Sequence, residues 1–145
     1  MEAGADPARL AREVAAAAGA PRRQLRASVA FHRRLFEPWA DVIAIAHGAT
    51  AADPEVAAWV AEGHRRRHAG QARLAREWTA AGVLRPGLSG QRAADTLWAL
   101  LSPDLYLLVV GRLGWRPTRY ERWLIALLAR ELFAGERHPA GNSQP

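Results

Sequence analysis

At 145 residues and 15.8 kDa the chain suits one domain or a compact pair of subdomains, a length at which roughly 68% of the unfolded surface is buried. Half of its residues are hydrophobic and 23% are charged, the balance of a folded globular protein. It has no cysteine, which excludes disulfides, thiolate metal sites, iron–sulfur clusters and cysteine nucleophiles. All twenty Lys-or-Arg positions are Arg, a bias that fits a GC-rich genome, so the net charge of +6 does not by itself point to nucleic acid. No basic flank followed by an apolar segment opens the chain, and no apolar run approaches the ~18 residues of a membrane span. The expectation is a cytoplasmic protein with no membrane partner.

Gly and Pro, read with Asp or Ser just before Pro, divide the chain into five predicted main helices and no strand, an all-α bundle. Asp6-Pro7 is a cap followed by Pro at the first helical position, and Gly19 stops that helix. The second stretch, Pro21 to Gly48, places Leu25, Val29, His32, Phe36 and Trp39 close to one face, and Pro38 predicts a kink about one turn earlier. Asp53-Pro54-Glu55 repeats the cap, Pro and acid order and opens a long helix toward Gly82, anchored by Val56, Trp59, Val60, Leu74 and Trp78. Ser89 caps a fourth helix through Ala93, Ala94, Leu97, Trp98 and Leu101, in which Ser102-Pro103-Asp104 marks a kink or a restart. Gly114 stops it. A fifth helix runs from Pro117 to about Phe133, and residues 136–145 read as a flexible polar tail beyond a domain spanning 1–135. The echo of Ala8–Glu13 in Ala72–Glu77 does not extend and reads as coincidence in an Ala- and Arg-rich chain.

The fifth helix is apolar all round from Trp123 to Ala129, and its predecessor is overloaded from Leu105 to Val110. Two readings are open: a central hairpin within one protomer, or a homodimer whose last two helices pair into an intermolecular four-helix bundle. In the second the contact set is Leu101, Leu105, Leu108, Trp115, Trp123, Leu124, Leu127 and Leu128, some of which must face the protomer's own core instead, and a charge at Leu124 or Leu127 should break the pair.

No paired carboxylates, nucleophile elbow, phosphate loop or dinucleotide fingerprint is present, so the expectation is a chain that is not an enzyme, with no catalytic residue and no cofactor. His64 and His68 have the i, i+4 spacing of a metal pair, but Arg65, Arg66 and Arg67 between them would repel a divalent cation. No metal site is expected. Arg65, Arg66, Arg67, Arg73 and Arg76 are the candidates for nonspecific nucleic-acid binding, yet three consecutive residues spread over about 200° of a helix. Some of Phe31, Leu35, Trp39, Trp59, Trp78 and Trp98 line a cavity for a small hydrophobic or aromatic effector, or else the aromatic residues fill a core otherwise built from Ala.

Between Leu97 and Leu132 the pieces Leu97-Trp98-Ala99-Leu100, Ser102-Pro103-Asp104-Leu105-Tyr106, Leu108-Val109, Gly114-Trp115, Tyr120-Glu121 and Trp123-Leu124 resemble the last two helices of actinobacterial TetR/AcrR-family regulators. Arg23-Gln24-Leu25-Arg26, Trp39-Ala40-Asp41-Val42, Asp53-Pro54-Glu55 and Leu84-Arg85-Pro86-Gly87 resemble the same family's C-terminal domain. The resemblance implies effector sensing and homodimerisation. The family's N-terminal helix-turn-helix has no counterpart in the chain, so DNA is an expected partner only where such a unit is supplied.

Overall fold

A computed structural model describes residues 6–135 and the side chains of all of these but Pro7; the tail expected over 136–145 lies outside the described residues. The described residues form an all-α helical bundle: α1 (Pro7–Ala16), α2 (Pro21–Phe36), α3 (Ala40–Ala49), α4 (Pro54–Ala80), α5 (Gly90–Leu100), α6 (Pro103–Tyr106) and α7 (Pro117–Leu132). The predicted caps at Asp6, Asp53 and Ser89 form, and Ser102 is a further cap, which makes the break at Pro103 a restart. Asp6 accepts from the Ala8 amide at 3.0 Å, Asp53 from Glu55 at 2.9 Å, Ser89 from Arg92 at 3.2 Å and Ser102 from Leu105 at 3.1 Å.

Two predicted helices are each divided. The break in the second falls at Glu37–Trp39, a 3-10 turn centred on Pro38, and not a turn earlier: α2 keeps its geometry up to Phe36. In the fourth, Ser102 restarts the helix, and α6 passes directly into a π-helical turn over Leu107–Arg112. There the Leu113 amide reaches back five residues to the Leu108 carbonyl at 3.0 Å, and the chain reverses at Gly114 with φ +68°.

The core collects Leu25, Val29 and Phe36 of α2, Leu74, Ala75 and Trp78 of α4, Ala93, Ala94 and Leu97 of α5, and Tyr120, Leu124, Leu128 and Leu132 of α7. Leu25 and Val29, Ala75 and Trp78, Ala94 and Leu97, and Tyr120, Leu124, Leu128 and Leu132 are three or four residues apart, the stripe that burial requires. A Cβ at Gly90 would lie 2.6 Å from Thr79 Oγ1, so the bare glycine lets the start of α5 close on the end of α4. Leu84 and Phe133 share a single antiparallel bridge, in which the Arg85 amide donates to the Leu132 carbonyl at 2.9 Å. No single helix among the described residues is long and apolar enough to cross a membrane; only the bent pair Gly90–Leu100 and Pro103–Arg112, at 42°, has the length and composition together.

Candidate ligand groove and association face

The long helix α4 carries His64, Arg65, Arg67 and His68 past the end of α5, where Trp98 is 37% exposed. Arg67 lies over the Trp98 ring, 5.0 Å from its centroid, and is half-buried there. Its guanidinium donates to the carbonyls of Trp98 at 2.5 Å and Leu101 at 3.3 Å, groups that α5 leaves unpaired as it ends. A third contact joins its Nη2 to His64 Nδ1 at 3.1 Å. Burial, with an opposing pull from Asp104, lowers the pKa of Arg67; among the described residues no carboxylate lies within salt-bridge distance of it. The guanidinium remains charged at any accessible pH.

Around this arginine stands an aromatic and imidazole cluster. His64 and His68 lie 5.9 and 6.3 Å from Trp98 between ring centroids, and His47 of α3 lies 5.9 Å from His64. His47 Nδ1 meets Asp104 Oδ1 of α6 at 3.0 Å, so α3 is tied to α6 across the same cluster. Burial first, then the charges of Arg67 and His47, depress the pKa of His64. An open groove of about 300 Å³ is lined by His64, Arg65, His68, Ala69 and Trp98.

Of the six residues predicted to line a ligand cavity, Trp98 alone lines this groove. Trp78 is core: it packs edge-on against Phe133 at 4.9 Å and its Nε1 donates to Gln24 Oε1 at 2.8 Å. Phe31 is half-buried and edge-on to His32 at 5.0 Å, and Leu35 is partly buried against the core. Trp39 and Trp59 stand 56% and 61% exposed. The reading in which these residues converge on one cavity is therefore corrected: His32 of α2 and Trp78 of α4 face the core, whereas Trp39, in the 3-10 turn after α2, and Trp59 of α4 are turned outward. A larger surface depression, about 880 Å³ beside Arg22, Arg85, Arg130 and Phe133, contains none of them.

His47, Arg67 and Asp104 belong to the groove's framework; the sequence assigned no site role to His47 or Asp104, and offered Arg67 only as a candidate nucleic-acid contact. The signal available was His64-x-x-x-His68 on a helix with an aromatic helix following, but only tertiary packing shows that α3, α5 and α6 meet there. Among the described residues no three of His, Cys, Asp and Glu are grouped so as to hold a metal ion.

The predicted dimer contacts divide between two faces. Leu101, Leu124 and Leu128 are completely buried in the protomer, so they cannot touch a partner, and their assignment to an interface is corrected. Leu105, Trp115, Trp123 and Leu127 are partly buried, and Leu108 is 48% exposed. Leu113, not foreseen, is 63% exposed. Trp115 packs edge-on to Trp123 at 5.6 Å, with the Arg119 guanidinium 3.9 Å from the Trp115 centroid. On the Arg-rich face of α4, Arg65 and Arg66 both pair with Glu62, Arg73 and Arg76 are exposed, and Arg67 is turned away to α5.

No family model, no curated protein and no solved structure matches the chain.

Proposed function

We propose that the chain is the small-molecule-sensing and dimerisation domain of a TetR/AcrR-type transcriptional regulator acting in the cytoplasm. The observation that carries this reading is the apolar surface left over on the last two helices. With Leu101, Leu124 and Leu128 consumed by the protomer's core, Leu108, Leu113, Trp115, Trp123 and Leu127 still present hydrocarbon to solvent on α7 and the segment before it. Apolar side chains left exposed in this way are what a two-fold partner covers. The all-α architecture and the family-like segments of the last two helices support the same assignment.

In this reading the effector is a small aromatic or hydrophobic molecule, and DNA is a partner only where a helix-turn-helix is supplied. The domain carries no catalytic residue and needs no cofactor. The test is a molar-mass measurement by light scattering, together with a thermal-shift screen of small aromatic compounds. A dimer whose melting temperature rises with ligand concentration is expected; a monomer indifferent to every compound would overturn the proposal.

A further inference from the structure

We infer that the groove at Trp98 binds a planar aromatic carboxylate, its ring against the indole and its carboxylate taken by His64 and Arg65. The inference rests on the sensing function proposed above and names the effector's chemical class. Three observations carry it.

The first is the fixed donor. A guanidinium has no acceptor, so in the contact of Arg67 with His64 the imidazole Nδ1 accepts, and the neutral ring holds its proton on Nε2. His64, kept neutral by burial beside Arg67 and His47, thus offers a ligand an N–H donor. The second is charge. No acidic side chain lines the groove, and Arg65 shares the single carboxylate of Glu62 with Arg66, one anion for two guanidiniums. Of the acids around the groove, Glu62 is held by Arg65 and Arg66, Asp104 by His47 at 3.0 Å, and Asp95 lies 3.9 Å from His68 Nε2. The third is size and surface: about 300 Å³ is at the lower end of ligand pockets and suits one or two fused rings, and Trp98 with the two imidazoles supplies aromatic walls. Arg67 itself is a positioning residue: its Nη1 is engaged by the carbonyls at the end of α5 and its Nη2 by His64, and it is not among the residues lining the groove.

The test titrates the whole chain with 2-naphthoate and, in parallel, its uncharged isostere 2-naphthamide, by calorimetry. The expected result is saturable 1:1 binding per chain of the acid, at least tenfold tighter than the amide. Arg65→Gln, an exposed position, should remove that preference with the helical circular dichroism unchanged. Trp98→Ala should weaken both compounds tenfold or more. Equal affinity for acid and amide, lost in Trp98→Ala, would overturn the carboxylate and leave the sensing role intact. Binding of the acid untouched by either substitution would place it elsewhere and overturn the site. A dimer that binds neither compound would overturn this inference while the association reading stood.

Discussion

Trp78 of α4 donates its indole N–H to Gln24 of α2 at 2.8 Å, and Gln24 in turn donates to Glu77 at 3.0 Å. One buried amide thereby satisfies the only polar atom of the largest core side chain and closes a polar chain between two helices. Trp78→Phe keeps much of the volume but orphans the Gln24 carbonyl, and should cost about 1–3 kcal/mol in urea unfolding. The same variant should lose the blue-shifted part of the tryptophan emission, because Trp39 and Trp59 stand in solvent.

His32 gives the fold a pH dependence. Burial outweighs its hydrogen bond to the Ser28 carbonyl, 2.8 Å from Nδ1, and with Arg67 nearby pushes its pKa down from 6.5 to about 4. The folded state holds it neutral, whereas the unfolded chain protonates it near 6.5. Its contribution is therefore complete above that pH and is lost as pH falls from 6.5 to about 4, at up to about 1.4 kcal/mol per unit. Urea titrations of the native chain and of His32→Gln at pH 7.0, 6.0 and 5.0 should show a gap between them that closes with acid; a constant gap would contradict the buried neutral imidazole.

The restart at Pro103 depends on Ser102, whose hydroxyl accepts from the Leu105 amide in a nearly solvent-free position. Ser102→Ala should lower stability by about 1 kcal/mol, read as a shift in the urea midpoint. Because α6 leads into the π-helical turn bearing Leu108, the variant should also raise amide exchange across Leu105–Leu113.

What the sequence disclosed follows from range of interaction. Asp53 and Ser89 cap within three residues of themselves, so their spacing was enough, and in the stripe Leu25, Val29, His32, Phe36 and Trp39 the first four are buried, whereas Trp39, past the break at Pro38, is exposed. On α7 the apolar run is continuous, and no periodicity separates Leu124 and Leu128, inside, from Trp123 and Leu127, half outside. The six candidate cavity residues could not be sorted for the same reason: an aromatic side chain carries no local mark distinguishing a core filler such as Trp78 from an exposed one such as Trp59. The groove joins His47, His64, Trp98 and Asp104 from four helices, a juxtaposition that belongs to packing alone.

That division on α7 makes two neighbouring substitutions diverge. Leu124→Glu puts a carboxylate into the protomer's core and should unfold it, at a cost of at least about 4 kcal/mol. Leu127→Glu charges the outer face and should leave helix content and melting cooperativity largely intact while weakening association. Circular dichroism melts with size-exclusion chromatography distinguish the two; identical behaviour would show that Leu127 is structural.

Sedimentation equilibrium of the unsubstituted chain at micromolar concentrations tests the central claim most directly. The proposed dimer predicts twice the 15.8 kDa chain mass, falling toward a single chain in Leu127→Glu. A soluble species of 15.8 kDa across the whole concentration range would show that Leu108, Leu113, Trp115 and Trp123 need no partner, and would contradict the assignment of this chain as a dimerisation domain.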